Sequence, residues 1–409
     1  MIGWIVYDFA NTIFSFVVVT RYFNDWIIEE RGQPDIYVGL MVAAVSVALV
    51  LALPLLGAVA DRLGRHKPIL VAFTLLCVVA TGLLGVIDSI LLALVVAGIA
   101  TFAFSTADAQ YHPLLSVVAP EPRRGRVSGI GVAVGYLGSL TALFAIGSFV
   151  EDGHAQRSFL PAAALFLVFA LPCFLLVRER PRPAPEAGTQ PPPRPFAQLV
   201  TTVRRARGAP HGRLLLARFF YVDAIATVFA FLTVYARRTG DFDGGSIDML
   251  LAISAVIAIG GAIGGGLLAE RIGPRRVVLG TLTLTVVALL ATAVTGSGAL
   301  LWVVGPVIGV VLGSLSAVDR VFLLRLVEPE RRGEDFGLYA LVGKLSSGFG
   351  PLVLWGVTIL VAHDLAGLSK FDASRLAVLV LAAAALSGLL ILRPLSDRAL
   401  HGDAPAYGQ

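Results

Sequence analysis

GAVADRLGRHK, from Gly57 to Lys67, and GLLAERIGPRR, from Gly266 to Arg276, write one pattern twice: glycine, three residues, acid, arginine, one residue, glycine, then basic residues. Asp61 and Glu270 stand 209 residues apart. A second pair, PEPRRGRVSG at Pro120 to Gly129 and EPERRGEDFG at Glu328 to Gly337, repeats at 208 residues. Each copy follows a long apolar run, so the chain reads as two copies of one membrane module. Duplicated helical halves are a common way for secondary transporters to build a central site that opens to either side in turn.

Working outward, hydrophobic residues make up 57% and charged residues 14%, with a mean hydropathy of +0.84. Soluble domains carry roughly 25% charged residues, and no water-soluble core needs this much apolar surface. Spans of about 20 residues suit a bilayer. Twelve are expected, near 2–24, 36–60, 68–87, 90–118, 126–150 and 159–177, then 213–236, 247–269, 277–295, 299–326, 335–362 and 374–393. The predicted fold is therefore all-α and membrane-integral, with two pseudo-symmetric six-helix bundles at 1–177 and 213–393, a Pro/Arg-rich linker at 178–212 and a tail at 394–409. The first span carries Asp8 and Asn11 and has no basic region before it, so it is expected to stay in the mature protein. Cys77 and Cys173 fall inside apolar spans and read as small buried hydrophobes.

Lys and Arg set the orientation. The segments after even-numbered spans, with the tail, hold 22 of the 32 basic residues, against 6 in the opposite segments. Both termini and the linker are thus expected on the cytoplasmic side of a cell (inner) membrane. The net charge of +5 then has a membrane explanation and calls for no nucleic acid. The linker, with seven prolines among arginines between Pro181 and Pro195, reads as an extended tether.

In the repeated loop, Gly57 would let another backbone approach and Gly64 suits a tight turn. Asp61 would sit at the positive end of a neighbouring helix, with Arg62, Arg65 and Lys67 holding the membrane edge. That is a latch; an ordinary basic loop accounts for the cations but not for the acid and glycines recurring at the same offsets. The motif resembles the loop signature of the major facilitator superfamily, G-x-x-x-D-R-x-G-R-[RK]. The match is Gly57, Asp61, Arg62, Gly64 and Arg65, with Glu270, Arg271 and Gly273 in a weaker second copy. The resemblance covers nearly the whole chain and implies a loop that gates the cytoplasmic side. YDFANT at Tyr7 to Thr12, FFYVDAIAT at Phe219 to Thr227 and EDFGLYALVGKLSSGFGP at Glu334 to Pro351 are similar to the vacuole-effluxer branch, relatives of the autophagy-associated amino-acid exporter of fungal vacuoles. Ser316 and Asp319 depart from that branch's pattern.

A charge at the centre of a membrane helix costs roughly 2.5–3.5 kcal/mol, so those retained face a cavity, pair or titrate. Asp8 and Asn11 share a face of span one, and Asp223 takes the corresponding place in span seven. Asp108 and His112 share a face of span four; Asp319, Arg320 and Lys344 populate spans ten and eleven. At about 1.5 Å per residue they form a polar layer roughly 9–16 Å deep. With Tyr7, these are the candidate substrate or proton pathway. Arg320 and Lys344 would take the carboxylate of a zwitterion and Asp8 or Asp223 its ammonium; alternatively, the acids neutralise the bases in packing salt bridges. A buried acid is also a natural proton carrier. His112 reads as a packing residue or a relay. Arg21 with Asp25 reads as a pair at the outer end, and Arg218 as a side chain reaching the cytoplasmic surface. GGAIGGG, Gly260 to Gly266, and Gly131 with Gly135 promise close helix packing. The Ser346 to Pro351 run would allow a bend or hinge.

No phosphate-cradling loop, metal-ligand spacing or nucleophile elbow is present, so neither a cofactor, a metal nor an enzyme activity is expected. The expectation is a secondary transporter, most simply a monomer in a lipid bilayer, coupled to protons and exporting a small zwitterion such as an amino acid. The alternatives are efflux or flipping of amphipathic drugs or lipids, and, in a different class, a membrane receptor or scaffold whose linker recruits a partner.

Overall fold

The computed structural model describes residues 1–120, 124–147, 150, 154–179, 195–327 and 332–395, and among them every regular element is helical. By length and composition, eleven helices can cross a membrane. They are α1 (Ile2–Glu30), α2 (Asp35–Ala60), α3 (Lys67–Leu84), α4 (Ile90–Leu114), α6 (Ala155–Leu176), α7 (Pro210–Thr239), α8 (Gly244–Ile272), α9 (Pro274–Thr295), α10 (Gly298–Leu326), α11 (Asp335–Leu365) and α12 (Lys370–Leu392). A shorter apolar helix, α5 (Ala133–Ile146), stands where the fifth span is expected.

Local chemistry sets the ends. Ser89, Asp243 and Ser369 cap α4, α8 and α12 by accepting the amides of Leu92, Ser246 and Asp372, supplying partners that the first turn lacks. Gly240 and Gly296 close α7 and α9 in the left-handed conformation, which glycine adopts without steric cost. Within the spans, hydroxyls fold back onto their own helices, as from Thr74 to the Leu70 carbonyl and from Thr292 to that of Ala288. This is how a hydroxyl is satisfied where lipid offers no partner.

α1 to α6 form one bundle and α7 to α12 the other. The halves meet where α2 packs on α11, α5 on α8 and α1 on α7. Of the glycines in GGAIGGG, Gly261 and Gly265 lie against Val310 and Ser314 of α10, while Gly260, Gly264 and Gly266 face open space. Outward faces carry exposed Leu55, Val79, Leu91, Leu175, Val287 and Val294, surface that only a lipid environment leaves without penalty. Among the described residues three helices contain π-helical stretches: Ser15–Arg21 and Trp26–Glu30 in α1, Ala142–Ile146 in α5, and Leu360–Leu365 and Gly350–Val357 in α11. The last begins at the glycine-proline step where a bend is expected.

The tether is not extended throughout. Pro195–Ala206 is helical, and Arg205 Nη2 lies 2.5 Å from Asp335 at the start of α11. The prolines of residues 180–194, on which the extended reading rested, lie outside the described residues.

Candidate functional site

The repeated loop shows how the duplication works. Gly64 and Gly273 both turn the chain with positive φ, 60° and 91°. Lys67 Nζ donates to the Val177 carbonyl at the end of α6, 2.6 Å, and Arg275 Nη2 to the Arg393 carbonyl at the end of α12, also 2.6 Å. The two cations stand 208 residues apart, so the same clamp closes each bundle. The carboxylate at the N-terminus of α3 belongs to Glu179, which accepts the His66 and Lys67 amides at 2.8–2.9 Å. Nothing local marked Glu179, because it lies 113 residues away in sequence. The side chains of Asp61 and Arg62 lie outside the described residues. Gly57 corrects its expectation: no atom lies within 4 Å of where its Cβ would be. Arg65, Glu270 and Arg271 are exposed.

Between the halves, on the side carrying the linker, lies a cavity of about 680 Å³. Pro54 of α2, Asp108 and His112 of α4, Arg218 of α7, and Lys344 and Ser347 of α11 line it, with Thr202 of the linker helix at its edge. Trp4 and Tyr111 build the first half of this site. Their rings stack at 4.5 Å, Trp4 Nε1 donates to the Tyr111 carbonyl and Tyr111 Oη to that of Trp4. The start of α1 is thereby fixed against α4, which brings Asn11 Nδ2 to 3.2 Å from Asp108 Oδ1. His112 Nε2 lies 3.6 Å from Asp108 Oδ2. This pair is open, its side chains 64% and 29% exposed. Opposite it, Lys344 forms no salt bridge among the described residues, and Arg320 is exposed.

The second half is closed. Asp319 accepts Arg218 Nε at 2.8 Å and Tyr339 Oη at 2.8 Å, together with the hydroxyl of Tyr221. The Arg218 guanidinium also stacks 3.7 Å from the centre of the Tyr339 ring. One expectation is corrected by this: Arg218 does not extend to the surface. Of the two readings of Asp319, the geometry matches the packing salt bridge rather than an acid offered to the cavity. Neighbours on a helix point apart, so Asp319 takes its partner from α7 while Arg320 turns elsewhere.

Asp8 and Asp223 sit alike. A Cβ on Gly131, in the helical stretch Arg124–Thr141 that runs into α5, would come 3.1 Å from Asp8 Oδ2, and one on Gly350 of α11 would come 2.6 Å from Asp223 Oδ1. Thr12 Oγ1 ties the first of these contacts by donating to the Gly135 carbonyl at 2.6 Å. Asp8 is half-buried and Asp223 is 0% exposed. The Gly350 amide approaches Asp223 without meeting ordinary hydrogen-bond geometry. Asp223 therefore stands behind the cavity wall in this conformation. Tyr7 also departs from its expected place, because it is fully buried and hydrogen-bonded to Thr74 of α3 at 2.6 Å. It is core.

The opposite side is sealed by charge. Arg21 bridges Asp25 at 3.2 Å and Asp248 of the second half at 2.5 Å. Arg237 meets Asp25, and Arg238 reaches Glu29 at 2.8 Å and Asp35 at 2.7 Å. Trp355 Nε1 completes Asp35 at 2.7 Å. The i,i+4 pair of Arg21 and Asp25 was legible in sequence, but its partners across the halves carried no local signal. A larger groove of about 960 Å³ lies wholly within the first bundle, between α2, α3 and α4. It holds no charged residue, and its Leu40, Leu91 and Val95 are at least half exposed. It is an apolar furrow on the outside of one bundle rather than a path between halves.

The family described as Major Facilitator Superfamily matches residues 1–351. The chain is 28% identical over 376 residues to the uncharacterized MFS-type transporter YxiO of Bacillus subtilis, covering 86% of each. It is 26% identical over 279 residues to autophagy-related protein 22-2 of Aspergillus clavatus, covering 60% of this chain and only 46% of that relative. Among solved structures, the nucleoside transporter NupG superposes with a TM-score of 0.76 at 13% identity, covering 96% of this chain and 98% of the other.

Proposed function

The chain belongs to the major facilitator superfamily, and on that premise we propose that it is a proton-coupled secondary transporter that exports a small zwitterion of the amino-acid class. One observation carries the reading. Asp108 with His112 on one half and Lys344 on the other line a single cavity, while the opposite face is closed by ion pairs between the halves. A zwitterion satisfies that arrangement, its ammonium on Asp108 and its carboxylate on Lys344. Asp108 replaces Asp8 and Asp223 as the ammonium partner because it is the acid that reaches the cavity.

The basic linker side is read as cytoplasmic, so this conformation is open to the cytoplasm. Rocking of the bundles would close the cavity and part Arg21 from Asp248 and Arg238 from Asp35, opening the far side. Asp8 and Asp223, each pressed against a glycine of the other wall of its own bundle, are assigned the proton. As the bundles rock, each would be reached by water from the central pathway in one state and shut from it in the other, which changes its proton affinity between them.

Counterflow in reconstituted vesicles, with labelled amino acids, nucleosides, sugars and lipids as cargo, tests the reading. Amino-acid exchange that survives without a pH gradient and accumulation that requires one are expected. Lys344→Gln and Asp108→Asn should each raise the half-saturating concentration at least tenfold, roughly the loss of one charge-assisted bond. Asp8→Asn with Asp223→Asn should abolish gradient-driven accumulation and spare exchange. Unchanged accumulation in that double variant, or exchange of none of the amino acids, overturns the proposal.

A further inference from the structure

A second site lies outside the pathway, where the linker helix meets α7. A groove of about 500 Å³ runs between Val203 and Ala206 of that helix, Leu215, Leu216 and Phe219 of α7, and Leu338 and Val342 of α11. Arg207 and Arg213 stand in its lining; both are exposed, and neither forms a salt bridge among the described residues. Their neighbour Arg205 is spent on Asp335. The groove is built rather than incidental. Gly208 turns the chain with φ 85°, and a Cβ on Gly212 would strike the Ala206 carbonyl, so only glycine lets the end of the linker helix press on the first turn of α7. That first turn adds the positive end of a 30-residue helix to the two guanidinium groups.

We propose that this groove holds an anionic phospholipid, its phosphate between Arg207 and Arg213 and one acyl chain along Leu216, Phe219 and Val342. Charge complementarity selects the head: two exposed cations at the membrane edge attract a lipid phosphate, and basic pockets between spans on this side of a membrane are suited to it. The apolar floor selects a lipid over free phosphate, because Leu215, Phe219 and Leu338 offer a soluble anion nothing and an acyl chain a dry bed. Leu338 also lines the central cavity. An occupied groove would therefore support the cavity wall from behind and hold the linker helix against α11.

The test is native mass spectrometry of the full-length protein after transfer from nanodiscs of equimolar phosphatidylglycerol and phosphatidylcholine. The wild type should retain phosphatidylglycerol in preference. Each of Arg207→Gln and Arg213→Gln should cut that preference roughly fivefold, the effect of one basic residue at a lipid surface. Phe219→Ala, which shortens the bed and spares both cations, should release both lipids sooner. Millimolar inorganic phosphate should not displace the bound lipid. Equal retention of the two lipids by the wild type overturns the proposal without reference to any variant's folding. So does an unchanged preference in the double arginine variant, and displacement by phosphate reassigns the groove to a soluble anion.

Discussion

Asp35 and Asp243 stand 208 residues apart, at the start of the second span of each half, and do different work. Asp35 is buried and joins the seal between the halves through Arg238 and Trp355. Asp243 caps α8 through the Ser246 amide at 2.8 Å, as an acid at a helix N-terminus does. By contrast, Lys67 and Arg275 kept one task, each tying its loop to the last carbonyl of its own bundle. The cavity acids diverged too: the first half leaves Asp108 and His112 open, and the second encloses Asp319 with Arg218 and two tyrosines. The clamp that ties each loop to its bundle stayed symmetric, whereas the acids at the seal and near the cavity specialised. The duplicated module conserves how a bundle closes and varies what it offers its partner.

The sharpest way to break this comparison is Arg218→Ala. It leaves Asp319 buried without its cation and should cost about 3–5 kcal/mol, seen as a large drop in melting temperature in detergent. His112→Ala, facing an open pair, should cost under about 1 kcal/mol; equal costs would erase the contrast between closed and open halves. Next, Asp35→Ala should weaken the sealed face by about 1.5–3 kcal/mol, the value of a charge-assisted bond. The melting temperature in detergent is the measurement that checks it. Gly350→Ala should cost about 1–3 kcal/mol by overpacking onto Asp223, whereas Gly57→Ala should be neutral or stabilising, since its Cβ meets nothing.

Lys67→Met and Arg275→Met sharpen the symmetric side. Each should lose about 0.5–1.5 kcal/mol, and the two melting shifts should agree. The smallest effect is expected at Asp243. The hydrogen bonds from Ser246 hold its carboxyl below the usual carboxylate range. Its contribution is therefore present at neutral pH and lost as pH falls through that depressed value. Asp243→Asn keeps a capping oxygen without the charge, so its melting temperature should lack that acid-side decline.

Much of this was legible before any coordinates. Apolar run lengths marked twelve spans, and the loop glycines at matched offsets marked the duplication and the turns that Gly64 and Gly273 make. The pairing of Asp108 with His112 was legible because i,i+4 spacing puts side chains on one helix face. Spacing is silent about which way that face turns. Tyr7 shares the neighbourhood of Asp8 in sequence, yet it points at Thr74 and the core.

The amino-acid sequence by itself determined that the chain crosses a membrane as two related bundles, because length, hydropathy and repetition are properties of the chain taken in order. Only the tertiary structure decided which charges are free. Arg218 and Asp319 are 101 residues apart, Arg21 and Asp248 227, and in a low-dielectric interior a buried charge is defined by what packs against it rather than by what precedes it.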